Sequence, residues 1–150
     1  MGPRFFSLLL VSVLATTVDM AMARRPGLAK LNAIDSCWRR KPNWIEQREE
    51  LALCSAGFAG KMKGNIGPGT TSYVVTDPSD DRLSPKPGTL RYGITMVPGK
   101  VWITFQKDMN ITLQATLLVG SFTTIDGRGV IVHIAHGGCL LLHKVLFVEI

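Results

Sequence analysis

The sequence lacks an apolar run long enough to cross a membrane. Residues 5–13 are apolar except for two serines, whereas a spanning helix needs roughly 20 apolar residues. The run follows a short basic opening and precedes the small residues Ala21 and Ala23, which is the layout of a cleavable signal peptide. We therefore predict a signal peptide over residues 1–23, secretion of the chain, and no membrane association after cleavage; a membrane anchor is the disfavoured alternative.

Cysteine is also scarce, with three in the whole chain. Cys37 and Cys54 flank one short segment, and in an oxidising compartment such a pair usually forms a disulfide. Cys139 is then left over. An odd cysteine in a secreted chain indicates an intermolecular bond, a free thiol or a missing partner, and we favour the missing partner.

Two loops lack the motifs that would give them a ligand. Residues 60–71 are glycine-rich but carry no G-x-x-x-x-G-K-[ST] pattern and follow no predicted strand, so a plain loop is favoured over a phosphate cradle. Residues 77–81 (DPSDD) lack the regularly alternating carboxylates and the distal glutamate of an EF-hand. Ordinary turn chemistry is favoured there over a calcium loop.

Acidic residues are outnumbered, and the formal net charge is +6. The excess lies in residues 24–63, which hold nine Lys or Arg and four Asp or Glu. Such a segment suits acidic polysaccharide, although a solvated basic face explains it equally well. We interpret residues 24–42 as a basic N-terminal tail or linker, and we expect no nucleic-acid partner.

An amphipathic helix is predicted after this linker. Asn43 is suited to cap it, with Glu46 at the capping-box position, and Gly57 is placed to end it. Four apolar side chains fall on one helical face: Trp44, Leu51, Cys54 and Phe58. We expect this helix to cap the end of a larger structure.

Short β-rich runs then recur at a regular spacing. Residues 101–105, 122–125 and 145–148 have centres about 22 residues apart. Residues 111–113 recur as 130–134, and residues 117–119 recur as 140–142. Three strands per repeat predict an all-β fold, the coiled parallel β-helix. Asn-Gly hairpin turns, which would favour a β-sandwich, are absent.

The predicted repeats are few. We expect two coils and the first strand of a third, within residues 43–150, and a solenoid needs several stacked coils and a cap. The sequence is therefore expected to be incomplete, and the open end, with residues 145–148 exposed, to be prone to aggregation.

Seven sequence blocks, in this order and approximate spacing, resemble the opening of plant pectate lyases, a family that includes related pollen allergens. They are NW at 43–44, LALCSAGF at 51–58, YVVTD at 73–77, PGTLRYG at 87–93, WITF at 102–105, DMNITL at 108–113 and TIDGRG at 124–129. The resemblance extends over residues 37–150, nearly all of the chain that follows the predicted signal peptide.

The resemblance implies a right-handed parallel β-helix, secretion to the plant cell wall, and calcium-dependent β-elimination of de-esterified pectin. It implies that Cys37 pairs with Cys54, and that Cys139 pairs with a cysteine beyond Ile150. The family's aspartate ligands for calcium and its base arginine also come from later coils. We therefore expect no catalytic and no metal residue within this chain, no lyase activity of the chain alone, polygalacturonate as the partner, and a monomer.

Several side chains invite a catalytic interpretation. Arg128 lies in the predicted turn at residues 126–129, and Arg91 alternates with apolar neighbours near a strand start; we interpret both as structural. The histidines His133 and His136 are three apart, which puts them on opposite faces of a strand. Half-buried strand histidines are favoured over a shared metal, also for His143. A pending disulfide is favoured over a thiol nucleophile at Cys139.

One modification site is predicted. Asn110, followed by Ile111 and Thr112, forms an N-glycosylation sequon, which is an acceptor when exposed in a secreted protein.

Two alternative functions remain open. The first is a non-catalytic truncated secreted β-helix, either allergen-like or wall-binding. The second is a hydrolase of the polygalacturonase type, which uses a similar β-helix with paired carboxylates; the ordered blocks between residues 43 and 129 disfavour it.

Overall fold

The computed structural model describes residues 31–56 and 62–143. The predicted signal peptide and the predicted strand at residues 145–148 lie outside these ranges. The helical elements are α1 (Ala33–Trp38), a 3-10 turn (Arg48–Glu50) that runs into α2 (Leu51–Cys54), a second 3-10 turn (Lys63–Asn65) and α3 (Leu90–Thr95). The strands are β1 (Thr70–Val75), β2 (Lys100–Phe105), β3 (Met109–Leu113), β4 (Leu117–Val119), β5 (Thr123–Asp126), β6 (Val132–Gly137) and β7 (Leu140–Leu142).

All strand pairs are parallel, and they form three sheets. The strand orders are β1-β2-β5, β3-β6 and β4-β7. Val101 pairs with Thr123 in the first sheet, Ile111 with Ile134 in the second and Leu117 with Leu140 in the third. These are the repeats that the spacing predicts, so the predicted pairing is confirmed for the described strands.

The interior is filled by alternate residues of each strand. In β3 and β4 the burial alternates along the chain, because successive side chains of a strand point to opposite faces. The inward residues of β2, β3 and β4 form one apolar cluster that includes Ile103, Leu113 and Leu117, each at most 1% exposed. Full burial of one such side chain contributes about 1.5–3 kcal/mol to the free energy of folding. The apolar interior therefore holds the three sheets, and the turns that connect them, together.

A short helix, α3, takes the place of a strand predicted around Arg91. Thr89 caps it, since the Thr89 hydroxyl accepts a hydrogen bond from the Tyr92 backbone N–H. Leu90 and Ile94, one turn apart, join the interior cluster. The helix contacts β1, β2 and β4. In the chain, α3 lies between the first-sheet strands β1 and β2. Between the next two first-sheet strands, β2 and β5, the chain instead forms β3 and β4. Helix α3 therefore covers the interior where strands of the second and third sheets are missing.

The predicted helix beginning at Asn43 is wrong. The first helix of the described residues is α1, and Asn32 caps it by accepting from the Asp35 N–H. This helix lies inside the segment predicted as a tail or linker. Asn43 instead begins a turn, in which its carbonyl accepts from the N–H groups of Glu46 and Gln47. The predicted end of the helix, at Gly57 and Phe58, lies outside the described residues.

Residues 31–56 and 62–69, which we call the N-terminal segment, pack against the outer face of the first sheet and do not fill the place of a cap over the interior. Leu51 and Ala52 of α2 and Met62 pack against Trp102 of β2. The Asn65 Nδ2 atom donates to the Thr124 hydroxyl of β5 at 2.7 Å. Both faces of β2 are consequently buried, by the interior on one side and by this segment on the other.

The two loops that lack ligand motifs are structured by backbone contacts. Thr70 and Thr71, placed in a loop by the sequence, begin β1. In the acidic loop, Asp77 accepts from the Ser79 N–H at 2.8 Å and Asp81 accepts from the Leu83 N–H at 2.9 Å. These are Asx turns, so the turn interpretation of residues 77–81 is confirmed.

Candidate functional site

The described residues concentrate charge around Asp126, at the end of β5. Its side chain is fully buried. Arg128 donates to it from Nε at 2.9 Å and from Nη2 at 2.8 Å, and Arg48 donates from Nη1 at 3.1 Å. The indole N–H of Trp102 donates at 3.3 Å. The carboxylate thus has enough charged and polar partners to remain ionised inside the protein.

The pKa of Asp126 is lowered by this arrangement. Burial alone would raise the pKa, but the hydrogen bonds and charge of Arg128, with the charge of Arg48, outweigh it. Asp126 is therefore a fixed anion rather than a proton donor.

Two tryptophans enclose the same arginines. The Arg128 Cζ atom lies 5.3 Å from the Trp38 ring centroid and 5.2 Å from that of Trp44, and the two rings meet edge to face at 5.0 Å. Arg48 lies 5.2 Å from the Trp44 centroid. We call Trp38, Trp44, Arg48, Asp126 and Arg128 the arginine–tryptophan cluster. Cation–π contacts strengthen where water is excluded, so the cluster ties the N-terminal segment to the turn after β5.

The Arg128 side chain makes its hydrogen bonds within this cluster. Besides Asp126, its Nη2 atom donates to the Arg48 carbonyl at 2.8 Å, and Arg48 donates back to the Arg128 carbonyl at 3.2 Å. An arginine held in this way does not reach out to a substrate, which supports the structural interpretation of Arg128.

Arg91 is held by a buried aspartate in a comparable way. Its Nε and Nη2 atoms donate to the two carboxylate oxygens of Asp80 at 2.6 and 2.8 Å. Asp80 also accepts from the Gln114 N–H at 2.7 Å, and Arg91 donates to the Ala115 carbonyl. The pair thus fixes the loop after β1 and helix α3 to the turn between β3 and β4, which again supports a structural role.

The histidines differ from the prediction. His133 and His136 are exposed rather than half-buried, and both line one shallow groove of about 290 Å³ instead of lying on opposite faces. The reason is an irregularity in β6, where the register shifts between Ile134 and Gly137 and His136 adopts a φ of 67°. His143 is exposed as well.

The predicted glycosylation site lies beside these histidines. Asn110 is exposed in β3 and pairs with His133 in the register of the second sheet. Its side chain lies on the outer face because its neighbours Met109 and Ile111 are buried in the interior.

The cysteines form one disulfide, between Cys37 and Cys54. It joins α1 to α2, and both sulfurs lie next to the apolar cluster around Trp102. Cys139 is a free, exposed thiol whose sulfur lies 3.7 Å from the Thr116 hydroxyl.

Sequence reasoning missed Arg48, Asp80 and the pairing of Trp38 with Arg128. Asp126 and Arg48 are 78 residues apart, and no local spacing signals such a contact. A detectable signal was the turn motif at residues 126–129, where an aspartate accepts from the Arg128 N–H two residues on.

Residues 31–56 and 62–143 contain neither a candidate metal site nor a candidate membrane-spanning helix. No group of three or more His, Cys, Asp or Glu side chains in these ranges is arranged to hold a metal ion. No helix in them has the length and apolar character needed to cross a bilayer.

Comparison with known proteins connects this architecture with one family. No family profile matches the chain. The protein named "Probable pectate lyase 4" of Arabidopsis thaliana is 48% identical over 121 residues, covering 80% of this chain and 32% of that protein. The pectate lyase of Zinnia elegans is 48% identical over 113 residues, covering 75% of this chain and 27% of that protein.

A solved structure agrees with the sequence comparison. The crystal structure of Jun a 1, the major allergen from cedar pollen, superposes with a TM-score of 0.70 at 46% identity, covering 79% of this chain and 34% of that one. The chain spans about a third of the length of these relatives. With its parallel sheets and its similarity to these plant proteins over about a third of their length, the chain resembles the pectate lyase family.

Proposed function

We propose that the chain is part of a secreted pectate lyase that cleaves de-esterified pectin by calcium-dependent β-elimination in the plant cell wall. The observation that carries the proposal is 48% identity over 121 residues to a relative named for this activity. Because the chain covers 32% of that relative, the activity is assigned to the longer protein.

The described residues do not fit a calcium site. They contain no group of three ligands, and the buried carboxylates Asp80 and Asp126 are engaged by arginines. Arg91 and Arg128 are not available as a catalytic base either, because each forms an ion pair with a buried aspartate. Calcium ligands and catalytic groups would come from other parts of the longer protein, and no reaction step is assigned to residues 31–143.

We assign this chain a scaffold role within that enzyme. Its parallel sheets form a β-helix of right-handed, two-coil form; α3 covers the start of its interior, and the N-terminal segment packs against the outer face of the first sheet. The apolar interior and the arginine–tryptophan cluster are the contacts that support this role. A monomer is proposed, since each sheet extends by adding coils of the same chain.

A chimera tests the enzymatic proposal. Residues 31–150 would replace the matching third of the Zinnia elegans pectate lyase, and release of unsaturated oligogalacturonates would be followed by their ultraviolet absorbance. We expect activity that a calcium chelator abolishes, and none from the 150-residue chain alone. A well-folded but inactive chimera would contradict the lyase proposal and favour a non-catalytic wall-binding β-helix.

Secretion with glycosylation is proposed alongside this function. Asn110 is exposed near the start of β3, so a glycan attached there would extend away from the interior. Expression in a eukaryotic secretory system should give a product whose mass falls on treatment with peptide N-glycosidase. The variants Asn110→Gln and Thr112→Val should both abolish the shift, because the sequon needs both residues. An unchanged mass in the wild-type chain would contradict the assignment.

A further inference from the structure

A groove of about 420 Å³ lies between α1 and the turn after β5. Ile34 and Trp38 line it from α1, Leu51 from α2, and Gly127 and Arg128 from the turn. Its volume falls within the range of about 300–1,000 Å³ that small-molecule sites span. The groove therefore has room for a small ligand, and both apolar and polar side chains line it.

The charge of this groove is positive. Arg39, Arg48 and Arg128 lie in or beside it, with Asp35 and Asp126 as the facing acids. Asp126 is matched by Arg48 and Arg128 together, so one positive charge remains in excess.

Arg39 is the accessible cation of the groove. Its side chain is 54% exposed and makes a single long contact of 3.9 Å with Asp35. Its guanidinium lies 4.7 Å from the Trp38 ring centroid. Stacking on an aromatic ring orients the guanidinium plane, and its outward N–H groups match the two oxygens of a carboxylate.

We propose that this groove is a non-catalytic binding subsite for a carboxylated sugar, a uronate unit of acidic polysaccharide. Arg39 holds the carboxylate in a bidentate contact, and the sugar ring lies against the apolar wall formed by Ile34 and Trp38. The inference rests on the proposed function for its choice of polysaccharide, but the subsite lies apart from any cleavage chemistry. Its effect is to hold the enzyme on its polymer.

Binding of a defined oligosaccharide tests the subsite. The probe is trigalacturonate, titrated into the 150-residue chain without calcium and followed by isothermal titration calorimetry or protein NMR. Its methyl ester serves as the uncharged counterpart. We expect trigalacturonate to bind and the ester to bind at least about tenfold more weakly, because a charge-assisted contact is lost.

Three variants localise the contact. Arg39→Gln should weaken binding about three- to tenfold, and Arg39→Lys should give an intermediate affinity because it keeps the charge but loses the fork. Arg82→Gln, which removes an exposed arginine from the loop after β1, should leave the affinity unchanged. Since Arg39 is exposed, these changes are expected to preserve the circular dichroism spectrum.

Each contrary outcome overturns the subsite. Equal affinity of the wild-type chain and Arg39→Gln would exclude a role for Arg39. Equal losses in Arg39→Gln and Arg82→Gln would show non-specific attraction. The lyase proposal and the subsite proposal can fail separately. An inactive chimera with intact trigalacturonate binding would contradict the lyase proposal and keep the subsite. An active chimera in which Arg39→Gln leaves trigalacturonate binding unchanged would contradict the subsite and keep the lyase proposal.

Discussion

Two aspartates show how the chain keeps charges inside a small structure. Asp80 and Asp126 have side chains that are 1% and 0% exposed, and each faces an arginine that donates from two nitrogens. Breaking such a pair leaves one charge buried without compensation. Loss of either aspartate is therefore expected to lower the free energy of unfolding strongly.

The pair of Asp80 and Arg91 gives the first prediction. Asp80→Asn should lower the free energy of unfolding by about 3–5 kcal/mol, because Arg91 stays buried without its counter-charge. Urea unfolding followed by circular dichroism measures the change. Glu50→Gln is the matched control: Glu50 pairs with Lys41 at the surface, with both side chains more than one third exposed, and should cost less than about 1 kcal/mol. Similar costs for both variants would contradict the buried-pair interpretation.

A glycine in the irregular part of β6 gives the second prediction. Gly137 has a φ of +69°, and a Cβ atom there would lie 1.9 Å from the Leu113 carbonyl oxygen. Gly137→Ala should therefore destabilise the protein by about 2 kcal/mol or more, from the left-handed backbone and the clash together. In Gly120→Ala the added methyl meets nothing within 4 Å, and the unfolding midpoint should hardly move. An unaltered midpoint in Gly137→Ala would show that β6 can rearrange.

At the scale of elements, strands were predictable and helices were not. The strand pairs follow from a repeat near 22 residues, because each strand stacks on its equivalent in the next coil. Helix α3 has six residues with a glycine and two β-branched side chains, a composition that resembles a strand. It is helical because Thr89 caps it and because Leu90 and Ile94 complete the interior. The cap is a local signal, but the packing of Leu90 and Ile94 is tertiary and is not visible in local sequence.

The N-terminal segment illustrates the same limit. The sequence predicts Asn43 as the cap, whereas the structure uses Asn32. What decides between them is tertiary: the disulfide and the contact of Trp38 with Arg128, which is 90 residues away in the chain. The candidate groove between α1 and the turn after β5 depends on this packing, so its position could not be predicted either.

The disulfide that holds α1 to α2 gives the third prediction. The cysteines are separated by 17 residues, and closing a loop of about 15 residues restricts the unfolded chain by about 3 kcal/mol in the chain-entropy model. The double variant Cys37→Ser, Cys54→Ser should lose about that much free energy of unfolding. Reducing agent should have the same effect on the wild-type chain and none on the variant. A response of the variant to the reductant would assign the effect to Cys139.

For the whole molecule, stability should decline in acid. Burial alone would raise the pKa of Asp80, but the hydrogen bonds from Arg91 and from the Gln114 N–H outweigh it, so that the pKa of Asp80 is lowered in the folded state, as is that of Asp126. A depressed folded-state pKa contributes stability that is present above the unfolded value and is lost as the pH falls through the folded value.

Unfolding free energies measured from neutral pH downward check this fourth prediction. They should be steady until the pH approaches about 4 and should then fall. Asp126→Asn should be less stable at neutral pH and should lose less on acidification, because one of the responsible carboxylates is gone. A wild-type stability that is constant or rises below pH 4 would contradict the assignment.

The irregularity in β6 has a further consequence for how this architecture can change over time. Met109 pairs with Val132 and Leu113 with Gly137, so β6 has gained one residue relative to β3. The following turn has three residues before β4 but two before β7, and Leu117 pairs with Leu140 at the original offset. An insertion in one coil is thus cancelled by a deletion a few residues later. Evolution can therefore alter individual turns, including those that acquire new chemistry, while the sheets above and below keep their alignment.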